Sequence, residues 1–310
     1  MPFEDPSAPR HALSPSRLHT LPWGVAFGMT DIGPVRQENE DNFLIDETLE
    51  LAMVTDGMGG HAEGAVASAT ALVAVQQFLR GVVRDTAQHE EGGAPALAAL
   101  AWQDPDATGL DPNTPAVHLA SQAIEFANTA LYTYNVAHGR KQDGMGTTLT
   151  GLWQCPFSES LLFFHVGDSR LYRYRAGSLI QLTRDQTLYQ QALDMGAIAN
   201  LPARNLLLQA MGPSPEVTPE IRMLQPECND LLMLCSDGLH GSVPHGELEN
   251  ALIMASEDTL ETTCERLIGL AKAYGGRDNI TVLLVWLSCP PRDAQQPSSM
   301  DGNTSAVGSP

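Results

Sequence analysis

Basic residues are scarce in this sequence of 310 residues. Lys and Arg together number 17 against 37 Asp and Glu, so the formal net charge is −20. A chain with this charge is repelled by the phosphates of nucleic acids and by anionic membrane surfaces. We therefore exclude nucleic acids and membranes as partners.

Cysteine is scarce too, and the sequence has no long apolar run. The five cysteines are scattered and never spaced as CxxC, which argues against a disulfide framework and against a zinc site. No apolar run reaches membrane-spanning length, and the N-terminus lacks the apolar stretch of a signal peptide. We therefore expect a soluble, cytoplasmic protein.

Strand and helix patterns alternate in blocks between two segments that lack both. Residues 1–21 and 289–310 are rich in Pro and Ser without periodicity, so we expect disordered tails there. The hydrophobic fraction of 43% suits one large domain or two small ones. The predicted strands are 23–29, 42–46, 50–55, 146–154, 160–166, 170–175, 178–182, 230–235 and 279–287.

Three of these strands, between 160 and 182, are separated by turns too short for a crossover helix, so they form an antiparallel meander. Helical patterns cover 62–84, 116–138 and about 244–275, and an insert at about 85–115 joins the first two. Strand blocks with paired helices predict an α+β fold of stacked antiparallel sheets covered by helices. Residues 183–222 mix short helix signals with Gly and Pro and predict an irregular flap.

An acidic residue follows a predicted strand in two similar segments. LAMVTDGMGG at 51–60 places Asp56 at a strand end, and LLMLCSDGLHG at 231–241 does the same with Asp237. The bare backbone of Gly57 leaves room for its carbonyl to join a coordination sphere.

Further acids stand where other strands begin: Asp278 in GGRDNITVLL, and Glu40 and Asp41 in RQENEDNFLI. A single acid of this kind is usually a solvated turn residue, but several that converge would repel one another unless cations neutralise them. Oxygen ligands without a His and Cys cluster favour Mn²⁺ or Mg²⁺.

The chain resembles the metal-dependent protein serine/threonine phosphatases, the PPM or type 2C family, in its bacterial form. The segments that carry the resemblance run in the family's order over about residues 24–287: TDIGPVRQENEDNF, VTDGMGGHAEGAVAS, GMGTTL, FFHVGDSRLYRY, LTRDQTL, LMLCSDGL and GGRDNITVLLV. The resemblance implies a four-layer α-β-β-α sandwich of two antiparallel sheets, with one phosphatase domain at 22–288 and two Mn²⁺ or Mg²⁺ ions at one end.

The resemblance also implies a role for each acidic position. Asp56 would bridge both metals, Gly57 would bind through its carbonyl, Asp237 and Asp278 would hold the first metal, and Asp41 or Glu40 would hold the second, directly or through water. Arg36 would hold the substrate phosphate with its planar guanidinium. A hydroxide that bridges the metals would attack phosphorus in line, without a covalent phosphoenzyme. The implied partners are phosphorylated proteins, namely a Ser/Thr kinase and its substrates, and the chain is expected to be a monomer.

Three positions bear on the proton that the leaving alkoxide needs. Some relatives carry a His directly after the metal-binding Asp-Gly, where this chain has Met58, and Gln186 stands where many relatives have His. Asp168, in HVGDSR, matches an Asp that helps to hold a weak third metal in some bacterial relatives. Water on that ion would be acidified and could donate the proton; alternatively, Asp168 only fixes the turn.

Other motifs in the sequence match less well. Gly57-x-Gly59-x-x-Ala62 has the form of a dinucleotide fingerprint, but Asp56 would face the pyrophosphate and no acid follows at about twenty residues. DPDAT at 104–108 has the form of a haloacid-dehalogenase nucleophile motif but follows no strand, and no cysteine begins a CxxxxxR loop. The rival of a different class is a pseudophosphatase that binds phosphoproteins without hydrolysis, against which the complete set Asp56, Asp237 and Asp278 argues.

Overall fold

The computed structural model describes residues 12–59, 62–89, 114–140, 144–156 and 161–288. The expected C-terminal tail, most of the insert with its DPDAT segment, and His61 lie outside the described residues. The strands are β1 (His19–Leu21), β2 (Gly24–Asp31), β3 (Asn42–Asp46), β4 (Leu51–Thr55), β5 (Gly57–Met58), β6 (Gly146–Thr147), β7 (Leu149–Gln154), β8 (Leu161–Val166), β9 (Arg170–Arg175), β10 (Ser178–Gln181), β11 (Glu220–Met223), β12 (Leu231–Cys235) and β13 (Ile280–Leu287). The α-helices are α1 (Ala62–His89), α2 (Thr114–Ala137), α3 (Leu188–Asp194), α4 (Asp237–His240), α5 (His245–Leu252) and α6 (Leu260–Ala273).

Two antiparallel sheets form the centre of the described structure. The first has the strand order β1-β2-β13-β12-β9-β10, and the second has the order β11-β8-β7-β4-β3. The short strands β5 and β6 pair with each other beside them. β9 and β10 pair antiparallel in the first sheet, but β8 belongs to the second sheet. The predicted antiparallel meander of three strands is therefore wrong for β8, because the turn between β8 and β9 carries the chain from one sheet to the other.

Three apolar layers hold the sandwich together. Phe43, Val54 and Leu234 belong to a buried layer between the two sheets. A second layer joins α1 and α2 to the outer face of the second sheet, and a third joins α5 and α6 to the first sheet. Because β4, β12 and β13 are covered on both faces, they read as continuous apolar runs rather than alternating ones. The predicted α-β-β-α fold is confirmed.

The prediction that residues 1–21 form a disordered tail is wrong for the last residues of that segment. Residues 19–21 form β1, which pairs with β2, and Leu21 is buried. Upstream, Ser14 accepts a hydrogen bond at its hydroxyl from the main-chain N–H of Ile45 at 2.8 Å. A strand of three residues is too short to show a period of two, so the segment resembled a tail.

The expected flap contains regular structure. The helix α3 lies within 183–222, in line with the short helix signals there, and β11 begins there and pairs with β8 as the edge strand of the second sheet, which the sequence did not indicate. The long helix α1 includes a stretch, Glu63–Asp85, that is long and apolar enough to cross a membrane by length and composition alone. No apolar run of this length was expected from the sequence. In the structure this stretch packs against α2 and the second sheet.

Candidate metal centre

The register of the second sheet places two of the predicted ligands side by side. Asn42, the first residue of β3, pairs with Thr55, the last residue of β4. Asp41 therefore precedes one strand, and Asp56 follows its antiparallel neighbour, at the same edge of the sheet. Both carboxylic acids are predominantly buried.

The register of the first sheet brings three more acids to one edge. β12 lies antiparallel between β13 and β9, so the end of β12 is level with the starts of β13 and β9. Asp237 follows β12 as the first residue of α4, Asp278 precedes β13, and Asp168 lies in the turn before β9. The sequence had predicted that these residues stand at strand ends, and the structure puts them at a common edge.

The electrostatics of Asp56 show that the two edges face each other. Burial raises the pKa of Asp56 well above its ordinary value, and the charges of Asp41, Asp237, Asp168 and Asp278 raise it further, in that order. Asp41 acts from the same sheet edge, and Asp168, Asp237 and Asp278 act from the edge of the first sheet. The arrangement concentrates negative charge where the protein offers little solvent to screen it.

Asp237 is one of the acids whose charge acts on Asp56. Burial, and then the charge of Asp278, raise the pKa of Asp237. The Oδ1 atom of Asp237 is buried and has no hydrogen-bond partner.

Glu40 and Asp41, which the sequence could not separate, have different surroundings. The Oδ2 atom of Asp41 accepts hydrogen bonds from the hydroxyls of Ser236 at 2.6 Å and Thr281 at 2.7 Å. Burial nevertheless raises the pKa of Asp41 to about 7, and Asp237 contributes to the rise. Glu40 has a buried Oε1 atom without a partner. Burial also raises the pKa of Glu40.

The glycine after Asp56 is required by close packing of the main chain. A Cβ atom at Gly57 would lie 2.1 Å from the carbonyl oxygen of Gly64 and 2.6 Å from that of Glu40. A Cβ atom at Gly64 would in turn lie 2.7 Å from Oε1 of Glu40. These glycines therefore let the first turns of α1 approach the acidic edge, and any larger residue would push Glu40 away.

Threonines of the GMGTTL segment, to which the sequence reading gave no role, fix the main chain of Asp56. The hydroxyl of Thr148 accepts from the N–H of Asp56 at 2.9 Å, and the N–H of Thr148 donates to the carbonyl of Asp56 at 2.9 Å. The hydroxyl of Thr147 donates to the same carbonyl at 2.9 Å. Asp56 is thus held on both sides of its Cα atom.

Asn279 was missed in the same way, although it lies in the quoted GGRDN segment. Its Oδ1 atom accepts from the N–H of Glu40 at 2.9 Å, and its Nδ2 atom donates to the carbonyls of Ile32 and Glu38. Asn279 therefore ties the loop that carries Arg36 and Glu40 to the first strand residues of β13.

Arg36 reaches the acidic edge from this loop. Its guanidinium donates to Oδ2 of Asp278 at 2.6 Å, and 45% of its side chain is exposed. Burial opposes its charge, but Asp278, Glu40 and Asp56 together raise the pKa of Arg36. A permanently charged, half-exposed guanidinium next to the acids can bind an anion that approaches from solvent.

Divalent metal ions suit this donor set chemically. Within the described residues, no three His, Cys, Asp or Glu side chains form a ready-made metal-binding group. The groups at the edge are nonetheless oxygen donors, two of their buried oxygens, on Glu40 and Asp237, lack partners, and their mutual repulsion is relieved by cations. The residues present therefore fit Mn²⁺ or Mg²⁺ rather than zinc.

Known proteins share this fold and these motifs. Residues 35–280 match the protein phosphatase 2C family. The serine/threonine phosphatase Stp of Listeria monocytogenes is 33% identical over 264 residues, which cover 83% of this chain and 93% of that protein. The crystal structure of the Mycobacterium tuberculosis serine/threonine phosphatase PstP/Ppp is 30% identical, with a TM-score of 0.66, and covers 85% of this chain and 98% of that one.

A further solved structure contains metal. It is the catalytic domain of the phosphatase PstP in complex with two manganese ions, at 31% identity and a TM-score of 0.62, covering 85% of this chain and 98% of that one. The chain therefore belongs to the protein phosphatase 2C family, whose members are metal-dependent protein phosphatases. The family, the enzyme class and the dependence on Mn²⁺ or Mg²⁺ that the motifs predicted are confirmed.

Proposed function

We propose that this chain hydrolyses phosphoserine and phosphothreonine in proteins at the edge where the two sheets meet. The observation that carries the proposal is the buried carboxyl of Asp56, on which four further acids converge. Bound Mn²⁺ or Mg²⁺ would neutralise these carboxylates and the substrate phosphate and would acidify the attacking water.

Each acid has a distinct place in the proposed centre. Asp56, Asp237 and Asp278 would hold the first ion, and Asp56 would also hold the second. Gly57 would add its main-chain carbonyl. For the second ion we favour Glu40 as the direct ligand, because its buried Oε1 has no partner.

Asp41 would then act on the second ion at longer range. Its Oδ2 atom is already engaged by the hydroxyls of Ser236 and Thr281. Such hydroxyls stabilise the carboxylate form and fix its orientation, as partners of metal-binding groups commonly do. This assignment keeps both Glu40 and Asp41 in the centre with different tasks.

Arg36 would orient the phosphate group. Its contact with Asp278 uses one amino group of the guanidinium, so other N–H groups of the fork remain to bind phosphate oxygens. The loop that carries Arg36 is fixed to β13 through Asn279. The guanidinium is therefore held beside the acids while it stays accessible to substrate.

Asp168 is our candidate for the group that supports protonation of the leaving oxygen. Burial, and then Asp237 and Asp185, raise its pKa to about 7, although Arg170 opposes the rise. In the proposed centre Asp168 would help to hold a weakly bound third ion, and water on that ion would be acidified and could donate the proton. Met58 has no transferable proton.

We further propose that the physiological substrates are a Ser/Thr kinase and the proteins it phosphorylates, and that the chain acts as a cytoplasmic monomer. The acidic surface implied by a net charge of −20 would repel most phosphoproteins. Recognition would then depend on the local positive charge of the ions and Arg36.

The test is phosphate release from a phosphothreonine peptide and from a phosphorylated kinase, with Mn²⁺ and with excess EDTA. We expect release with Mn²⁺ and none with EDTA, and none from an Asp56→Asn control in either condition. Peptide binding by the wild type without release would instead indicate a pseudophosphatase. Full activity in EDTA would contradict the proposed metal chemistry.

A further inference from the structure

The turn that carries Asp168 is held from several sides. The N–H of Gly167 donates to Oε1 of Gln186 at 2.9 Å, and the N–H of Gln186 donates to the carbonyl of Gly167 at 2.8 Å. On the other side, the hydroxyls of Ser169 and Thr148 share a hydrogen bond of 2.7 Å. The residues before and after Asp168 are therefore anchored without any bond to Asp168 itself.

One contact reaches the peptide unit of Asp168 directly. The Nε2 atom of His240 lies 2.9 Å from the main-chain carbonyl oxygen of Asp168. A carbonyl oxygen can only accept, so Nε2 carries the proton and donates. The direction of this carbonyl is linked to the backbone angles of Asp168 and therefore to the direction of its side chain.

His240 comes from the helix that also carries Asp237. The two residues are three positions apart in α4, so they lie on the same side of the helix. Asp237 raises the pKa of Asp168 through its charge, and His240 bonds to the carbonyl of Asp168. The short helix α4 thus supplies both the acid Asp237 and the hydrogen-bond donor His240 beside Asp168.

The surroundings of His240 keep it in the neutral, donating form. Arg170 lies between strand and helix and binds Asp185 through two hydrogen bonds of 2.8 and 2.6 Å. Burial and Arg170 lower the pKa of His240 to about 3, despite the opposing charge of Asp185. The hydrogen bond to Asp168 does not depend on this charge state, because Nε2 carries a proton in the donating neutral tautomer and in the imidazolium alike.

We propose that His240 is a positioning residue that holds Asp168 in the orientation it needs for leaving-group protonation. The proposal rests on the proposed function, because it assigns His240 a role that acts through Asp168. Since Gln186 and Thr148 hold the residues on either side of Asp168, the turn still forms without the His240 bond, but loss of that bond loosens the peptide unit of Asp168 and the orientation of its side chain.

The test compares a double-mutant set on two substrates in Mn²⁺: the wild type, His240→Leu, Asp168→Ala and the double variant. One substrate is a phosphothreonine peptide, and the other is p-nitrophenyl phosphate, whose phenolate leaves without a proton. We expect His240→Leu to lower kcat on the peptide at least roughly tenfold, as when part of a general-acid contribution is lost. On p-nitrophenyl phosphate we expect less than about a threefold change. The double variant should match Asp168→Ala, because the two residues act as a unit.

Two further variants separate positioning from a general loss of structure. His240→Gln can place an amide N–H near the position of Nε2, and should restore activity on the peptide. His245→Leu removes a bond of the same kind, from Nε2 to the carbonyl of Leu179 at 3.0 Å, and should leave both activities unchanged. If His240→Leu does not fold, His240→Asn, whose shorter side chain cannot reach the carbonyl, takes its place.

A readout that does not depend on activity is hydrogen–deuterium exchange of the peptide that covers residues 165–171, measured in EDTA. Exchange should increase in His240→Leu and not in His245→Leu. The proposal would be overturned if His240→Leu lost equal activity on both substrates or if exchange at the turn were unchanged. It would also be overturned if the losses of the double variant multiplied, or if Asp168→Ala kept wild-type activity on the peptide. A wild type that releases no phosphate from the peptide would refute the proposed function itself.

Discussion

The crowding of carboxyls around Asp56 should reduce the stability of the protein in EDTA as the pH rises. Asp41 is the best group for a measurement, because its Oδ2 accepts from Ser236 and Thr281, and the amide oxygen of Asn can accept the same bonds. Burial raises the pKa of Asp41 from 3.8 to about 7. A group whose pKa is raised by folding stabilises the native state below its unfolded pKa, and that stability is lost as the pH rises through the native pKa.

The size of the effect follows from this pKa. Between pH 5.5 and 7, ionisation of Asp41 lowers the free energy of unfolding of the wild type by about 1.4 kcal/mol per pH unit, or about 2 kcal/mol in all. Above pH 7 this free energy changes little more through Asp41. Asp41→Asn lacks this loss, so its free energy of unfolding relative to wild type should rise by about 2 kcal/mol from pH 5.5 to 8. For a domain of this size that corresponds to roughly 4–8 °C in Tm.

Thermal unfolding of both proteins in EDTA at several pH values measures this difference. His165 and His240, whose pKa values are lowered to about 4 and about 3, add stability as the pH rises toward 6.5. Their contribution is common to both proteins and cancels in the comparison.

Asp46→Asn serves as the control, because Asp46 lies at the opposite end of the same strand and is paired with Arg80. Hydrogen bonds from Leu49, Gln76 and Arg80 outweigh burial and lower the pKa of Asp46. The contribution of ionised Asp46 to the free energy of unfolding is lost only below pH 3.8. Asp46→Asn should therefore be less stable than wild type by a constant amount from pH 5.5 to 8. A constant difference for Asp41→Asn as well would refute the account of Asp41.

Three further outcomes are expected in Mn²⁺. Asp56→Asn and Asp237→Asn should each stay folded and lose at least roughly 100-fold in kcat on p-nitrophenyl phosphate, as when a metal centre is disrupted; near wild-type turnover in either would reject its place as a ligand. Arg36→Ala should raise KM for phosphate esters more than it lowers kcat, because the guanidinium grips the phosphate before and during the reaction; an unchanged KM would place the phosphate elsewhere. Asp168→Ala should cripple phosphopeptide hydrolysis and largely spare p-nitrophenyl phosphate, whereas equal losses in the folded variant would favour a structural role for Asp168.

Several predicted strands agree with the structure closely: β3 and β9 have the predicted bounds, and the buried strands β4, β12 and β13 begin one residue later than predicted. β4, β12 and β13 are buried on both faces, so an apolar run of the right length was sufficient to find them and to place their ends within about one residue. β1 and β11 lie at the edges of their sheets and have three and four residues. Their stability comes from pairing with β2 and β8, which a local pattern does not contain.

The residues of the candidate site also fall into those that the sequence indicates and those that it does not. Asp56 and Asp237 stand out because a charge directly after an apolar run is conspicuous in one sequence. Thr148, Asn279 and His240 do not, since a polar residue in a loop is ordinary. Their significance comes from hydrogen bonds to residues 92, 239 and 72 positions away, and such pairs become visible only when the sheet register is known.

The choice between Glu40 and Asp41 shows why even a recognised motif left the ligand set open. Both are acids, they are adjacent, and both precede the same strand, so sequence patterning treats them alike. Neighbouring side chains at the start of a strand point in different directions, and here Asp41 meets two hydroxyls while the Oε1 of Glu40 meets none. An acid whose lone pairs are already engaged stabilises its neighbours' arrangement, whereas an acid with an unpartnered buried oxygen requires a cation or a proton.

This asymmetry, rather than the number of acids, assigns the second ion to Glu40. It predicts that Glu40→Gln weakens Mn²⁺ binding in a calorimetric titration more than Asp41→Asn does. The reverse order would return the ligand role to Asp41.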